Sequence, residues 1–91
     1  CQQCIIEGGT VRGANLFHSF RQFSIRTGGE VFFNQPPQIQ TIFTRVTGGS
    51  ESRIDGTLRA NGSSNLVLIN PRGIIFGGNA RLNIGGSFLA S

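Results

Sequence analysis

Two cysteines at the start of the chain are the first residues whose type and spacing could support chemistry. Cys1 and Cys4 form a C-x-x-C pair. Such a pair serves redox chemistry when it opens a helix in a βαβ unit, and it holds zinc when two further ligands join it. No βαβ pattern surrounds the pair, and His18 is the only other soft ligand in the sequence. We interpret the cysteines as terminal thiols, with a local disulfide or a metal or redox role as alternatives, and His18 as structural.

The four carboxylates are the next candidates for chemistry: Glu7, Glu30, Glu51 and Asp55. Enzymes of the β-helix type that cleave polysaccharides need clustered carboxylates, either to hold Ca²⁺ or to act as acid and base. Only Glu51 and Asp55 lie close together in the sequence, and the chain has no lysine for a phosphate-binding loop. We therefore predict that the chain is not an enzyme and has no catalytic residue, no cofactor and no metal site.

All eight basic residues are arginines, and the net charge is +4. The arginines are scattered along the sequence without a cluster. A protein that binds nucleic acid normally concentrates its positive charge on one face or stripe. We therefore predict no nucleic-acid partner and place the arginines on a solvated surface.

The second half of the chain consists of short apolar runs separated by Asn, Gly, Ser and Pro. Such runs, with no helical period between them, predict an all-β fold. An antiparallel sandwich with a hairpin turn at Asp55-Gly56 fits this pattern, and so does a β-solenoid with coils of about 20–30 residues. The composition favours the solenoid, because large side chains alternate with small or polar ones. The candidates for its buried face are Ile54, Leu58, Leu66, Leu68, Ile74, Phe76, Leu82, Ile84 and Phe88.

The first half of the chain gives weaker signals. Leu16, Phe20 and Phe23 have the spacing of one face of a helical turn. Strand-like residues on either side of the turn at 27–29 predict a hairpin or two edge strands. Residues 35–38 contain two prolines, which exclude a central strand because proline donates no ladder hydrogen bond.

Asn70-Pro71-Arg72-Gly73 separates two of the apolar runs and has the residue preferences of a type I turn. Asn is favoured at the first position, Pro at the second and Gly at the fourth. The side chain of Asn70 is expected to accept a hydrogen bond from the backbone two residues on, and Arg72 is expected to face solvent. The sequence therefore predicts a corner between two buried strands.

The stretch NLVLINPRGIIFG, residues 65–77, resembles the Asn-Pro-Asn-Gly-Ile core of the haemagglutination-activity domain. This is the two-partner-secretion (TPS) domain of filamentous-haemagglutinin-like exoproteins. Further motifs continue the similarity in order over most of the chain, among them NLFHSF at 15–20 and SRIDGTL at 52–58. The chain departs from the family pattern where Arg72 replaces the usual second asparagine and where Gly78 stands in place of a common proline.

The resemblance implies a right-handed parallel β-helix with an N-terminal cap and extra-helical antiparallel strands. On that basis residues 1–91 are a partial TPS domain. Residues 1–45 are expected to form the cap and the decorating strands, and residues 46–91 the coils of the β-helix.

The resemblance also implies a function. The chain would be the N-terminal secretion module of a large adhesin-like exoprotein, recognised by an outer-membrane partner transporter and nucleating β-helix folding at the cell surface of a Gram-negative-type bacterium. Its other partners would be downstream β-helix repeats of the same protein and host or cell-surface glycans. A carbohydrate-binding or polysaccharide-cleaving β-helix protein is the alternative. The residues assigned to the secretion and folding motif are Asn65, Asn70, Pro71, Gly73, Ile74 and Phe76.

Overall fold

The computed structural model describes residues 2–91 and shows only short β-strands in that range, with no helix. None of the described residues therefore forms a helix long and apolar enough to cross a membrane. The strands are β1 Gln3–Ile6, β2 Thr10–Arg12, β3 Asn15–Phe20, β4 Glu30–Phe33, β5 Thr41–Val46, β6 Ser52–Ile54, β7 Thr57–Ala60, β8 Asn65–Ile69, β9 Ile74–Phe76, β10 Arg81–Asn83 and β11 Phe88–Ala90.

The strands form three sheets that the chain visits in turn. Sheet 1 has the order β1-β4-β7-β10, sheet 2 the order β11-β8-β5-β3-β2, and sheet 3 contains β6 and β9. A parallel bridge between Ile25 and Ile54 extends sheet 3 toward the start of the chain. The result is a β-solenoid of about four turns. The predicted all-β parallel β-helix is confirmed. The sandwich alternative is wrong, because β6 and β7, on either side of Asp55-Gly56, belong to different sheets.

The coil length also agrees with the prediction. Glu30 pairs with Thr57 in sheet 1, and Thr41 pairs with Asn65 in sheet 2. Partners in adjacent coils are thus separated by a number of residues within the expected range of about 20–30.

Parallel stacking begins well before residue 46, where the sequence placed the boundary between cap and coils. Strand β1 already pairs in parallel with β4, and β3 with β5. Strand β4, expected in a hairpin or at an edge, lies between β1 and β7. Parallel partners lie a whole coil away, so no local sequence pattern signals the pairing. Among the described residues the one antiparallel pair of strands is β2 with β3, around Gly13 at a φ of 62°.

The helical spacing of Leu16, Phe20 and Phe23 is misleading. Asn15–Phe20 is a strand, and the inward positions on it are Leu16, His18 and Phe20, which follow the two-residue period of a strand. Phe23 is buried beyond the end of the strand.

The core consists of side-chain columns that run along the solenoid axis. One column stacks Leu16, Ile42, Leu66 and Phe88 in register. The predicted inward residues Ile54, Leu58, Leu66 and Leu68 are at most 1% exposed.

The inward residues of the last coil lie on the same columns but are less covered. Phe76 is in register with Ile54, and Leu82 with Leu58, yet their exposed fractions are 43% and 49%. No coil of the described chain packs on their free side, so they are more exposed than predicted. Ile74, Ile84 and Phe88 are partly buried for the same reason.

Candidate functional site

The corner between β8 and β9 has the predicted turn geometry. The Gly73 N–H donates to the Asn70 carbonyl at 3.0 Å, which closes the turn. The Arg72 N–H donates to Asn70 Oδ1 at 2.9 Å. No residue other than glycine has a positive φ in the described chain, so Arg72 occupies the third position of a type I turn and not of a type II turn. Arg72 is exposed, as predicted.

Asn70 does more than the sequence suggested, because its side chain also joins two coils. The side chain is only 2% exposed. Its amide nitrogen donates to the Ser50 carbonyl at 3.1 Å and to Ser52 Oγ at 2.9 Å. Every polar atom of the side chain therefore has a partner, which is the condition for burying an amide at low cost.

Asn65, at the opposite end of β8, also connects neighbouring coils. Its amide nitrogen donates to Thr41 Oγ1 at 3.4 Å in the coil before it. The Ser87 N–H, in the coil after it, donates to Asn65 Oδ1 at 2.8 Å. Gly86 approaches so closely that a Cβ there would lie 2.4 Å from the same oxygen. A Cβ there would also lie 2.8 Å from the backbone oxygens of Ser63 and Ser64, so a larger residue would have to displace the backbone of the preceding coil.

The structure brings only part of the predicted motif together. Asn70, Pro71 and Gly73 form one turn, and partly buried Ile74 follows it directly. Asn65 lies at the far end of β8. Phe76 ends β9, where its ring meets Phe88 edge to face at 5.9 Å. Whether these residues act together in secretion stays a prediction.

A ladder of polar side chains at another corner was missed by the sequence analysis. Thr27 Oγ1 donates to Asp55 Oδ2. The Asn79 N–H donates to Asp55 Oδ1 at 3.0 Å, and the Asn79 amide nitrogen to Oδ2 at 3.4 Å. The three residues belong to three successive coils. As a candidate for chemistry, Asp55 was paired in the sequence with Glu51, but Glu51 instead forms an ion pair with Arg53 at 2.8 Å.

A second ladder of polar side chains is built on Gln35. This residue directly precedes two prolines, outside any strand, yet it is only 6% exposed. The Gln35 N–H donates to Asn61 Oδ1, and Asn61 Nδ2 donates to the Gln35 carbonyl, both at 3.1 Å. Gln35 Nε2 also donates to Ser64 Oγ at 3.2 Å. The signal that could have found both ladders is the recurrence of polar residues one coil apart at corner positions.

Asp55 should make the stability of the solenoid depend on pH. The hydrogen bond from Thr27, and then those from Asn79, lower the pKa of Asp55. A carboxyl group whose pKa falls on folding stabilises the folded state above its unfolded pKa, near 4, and this contribution is lost as pH falls through the lower, folded value. We expect Asp55→Asn to flatten the acid side of a plot of melting temperature against pH. An unchanged acid slope in the variant would contradict this assignment.

His18 lies between aromatic rings rather than in a ligand cluster. Its ring is 5.9 Å from that of Phe20 and 5.6 Å from that of Phe33, and burial lowers its pKa. Within residues 2–91, no three His, Cys, Asp or Glu side chains are grouped as metal ligands would be. Cys4 is disulfide-bonded, so the interpretation of this residue as a free terminal thiol is wrong. Cys1 lies outside the described residues.

Comparison with known proteins gives one family and two similar relatives. A family model described as TPS secretion domain matches residues 2–91. A heme/hemopexin-binding protein of Haemophilus influenzae strain Rd is 41% identical over 69 residues, which cover 76% of this chain. A second heme/hemopexin-binding protein from Haemophilus influenzae is 39% identical over 67 residues, or 74% of the chain. No solved structure matches the chain significantly.

The family model covers all of the described residues, and each relative covers about three quarters of the chain. The chain spans only 7% of the length of each relative, so the comparison concerns one module of a much longer protein. The resemblance stated from the sequence is thereby confirmed. The chain belongs to the family of TPS secretion domains, the secretion modules of two-partner-secreted exoproteins.

Proposed function

We propose that the chain directs a large, non-enzymatic exoprotein to an outer-membrane partner transporter and then nucleates β-helix folding at the cell surface. The family membership supports the transporter as partner and passage across the outer membrane of a Gram-negative bacterium. The folding role rests chiefly on one observation, the side-chain contacts by which Asn65 and Asn70 join successive coils.

Further partners belong to the same proposal. The side chains of Phe76 and Leu82 form the uncovered ends of two apolar columns at the last coil. Because each side chain is already about half buried, covering the rest is favourable by about 1 kcal/mol each, which supports stacking of β-helix repeats of the same protein on this end. Host or cell-surface glycans enter the proposal only as ligands of the whole exoprotein.

The proposal is tested by co-expression with a partner transporter, with release of the chain into the medium as the readout. Secretion that depends on the transporter is the expected result. Equal release without the transporter would sink the proposal. Replacing the whole turn 70–73 by four glycines should reduce release, because it removes both the turn and the contacts between coils.

A substitution at Arg72 can distinguish recognition of the motif by the transporter from folding of the chain. Its side chain is exposed and makes no hydrogen bond or ion pair in the described chain. We expect Arg72→Asn, which restores the family's usual residue, to change the free energy of unfolding by less than about 0.5 kcal/mol.

The paired measurement is melting temperature and secreted yield. If the transporter reads the side chain at this turn position, Arg72→Asn changes yield while the melting temperature stays constant. A drop in melting temperature of several degrees would show instead that Arg72 has a structural role, contrary to our expectation.

A further inference from the structure

The outer face of sheet 2 carries a row of apolar side chains that crosses the coils. Phe17, Phe43, Val67 and Leu89 are direct neighbours on successive strands by register. They alternate with the buried residues of the same strands, so they point outward. Phe17 is 41% exposed and Leu89 is 59% exposed. The row is therefore a continuous apolar stripe on a surface that the described chain leaves open.

Two residues of the stripe, Phe17 and Phe43, stack on each other and line a groove. The rings of Phe17 and Phe43 are 5.0 Å apart and inclined by 11°. Pairs stacked in this way hold both rings in place before any partner arrives. The groove has a volume of about 710 Å³, and its lining includes Thr10, Ser19, Arg45 and Ile69 beside the two rings. With His18, which also lines it, the groove offers an apolar floor, two hydroxyl groups, one imidazole ring and one guanidinium group.

Arg45 has no acidic partner among the described residues. Glu30 and Glu51 form ion pairs with Arg59 and Arg53. The other two carboxylates also have partners elsewhere: Glu7 accepts a hydrogen bond from Asn34, and Asp55 belongs to the corner ladder. Since no strand of sheet 2 contains an acidic residue, this face is positive and has no internal counter-charge.

Sheet 1 shows how the same groups behave when an acid is present. There Arg59 lies over the ring of Phe32, with its guanidinium carbon 3.9 Å from the ring centre. The same arginine forms an ion pair with Glu30 at 3.1 Å. The outward aromatic ring of sheet 1 is thus covered by its own arginine and carboxylate. Sheet 2 has the rings and the arginine and lacks the acid.

We propose that the groove of sheet 2 is a docking surface for an acidic segment of a separate polypeptide. Apolar side chains of that segment pack on Phe17 and Phe43, and a carboxylate pairs with Arg45. A second copy of this chain is a poor occupant, because two identical faces would bring Arg45 side chains and no carboxylate to the interface. The site is distinct from the turn at 70–73 and does not depend on the proposed secretion role.

The test measures binding of a fluorescein-labelled peptide in which leucine and aspartate alternate, by fluorescence anisotropy with the full chain. A peptide of alternating leucine and lysine is the control ligand. We expect saturable binding of the acidic peptide only. Arg45→Glu should raise its Kd by about tenfold or more, and Phe17→Ser should raise it similarly, because each removes one class of contact.

Arg26→Glu is the matched control, because it reverses the charge of an exposed arginine outside sheet 2 and should change Kd by less than about twofold. Circular dichroism shows whether Phe17→Ser is folded; if it is not, Arg45→Glu decides alone. The proposal is overturned if the acidic peptide does not bind or if Arg26→Glu weakens binding as much as Arg45→Glu. It is equally overturned if Arg45 instead governs binding to phosphatidylglycerol vesicles, or if sedimentation shows a dimer that Phe17→Ser abolishes.

Discussion

Replacing Leu66 with alanine is expected to lower the free energy of unfolding by about 2–5 kcal/mol. Leu66 is 1% exposed and lies between Ile42 and Phe88 in a column that passes through the core. Backbone hydrogen bonds of the parallel ladders on both sides limit how far the coils can close around the missing side chain. The loss would be a large part of the stability of a domain this small. Urea unfolding followed by circular dichroism measures it.

Leu82→Ala is the matched control for that prediction. It removes the same atoms from the same kind of inward position, but Leu82 is 49% exposed on the last coil. We expect a loss of less than about 1 kcal/mol, because little apolar surface is buried there and no closed cavity forms. Equal losses for the two variants would mean that the columns do not stabilise the solenoid as the burial pattern indicates.

Asn70→Ala is expected to cost about 2–4 kcal/mol, more than one turn hydrogen bond would suggest. The substitution removes the acceptor for the Arg72 N–H and the donor to Ser50 and Ser52 together. Ser52 is fully buried, so its hydroxyl group would lose a partner that water cannot easily replace. The melting temperature and the secreted yield should fall together, because the same contacts hold the corner and align two coils.

Asn70→Asp separates the two roles of the side chain. The carboxylate can still accept the hydrogen bond from Arg72, but it cannot donate to the Ser50 carbonyl. We therefore expect a stability below that of the wild type. If Asn70→Asp is as stable as the wild-type chain, the contacts between coils contribute nothing and only the turn matters.

Features encoded within a few residues could be predicted from the sequence. The turn at 70–73 depends on the local preferences of Asn, Pro and Gly, and its hydrogen bonds are as expected. The alternation in β8 correctly places Leu66 and Leu68 inside. The coil length follows from the spacing of the apolar runs, and the choice of a solenoid over a sandwich depended on the family resemblance.

Features that arise between coils could not be predicted in the same way. The first strands stack in parallel with partners about one coil later, and nothing near them in the sequence marks those partners. The Asp55 ladder could not be predicted for the same reason. Thr27 and Asn79 are distant from Asp55 in the chain, and the three residues meet only through the register of the coils. The predicted burial of Phe76 assumed a covering coil that the described residues do not supply.

The pairing pattern has a consequence for how fast the domain folds. Apart from β2 with β3, every strand pair in the described chain joins segments about one coil apart, as Glu30 and Thr57 are. Such a high contact order makes folding slow, on the order of milliseconds to seconds, because long loops must close before any ladder forms. Such a delay fits the proposed order of events, in which the chain crosses the outer membrane first and folds at the cell surface afterwards. Once one coil has formed, the unpaired backbone groups of its strands are a template for the strands of the next coil. Folding therefore propagates along the axis, one coil after another.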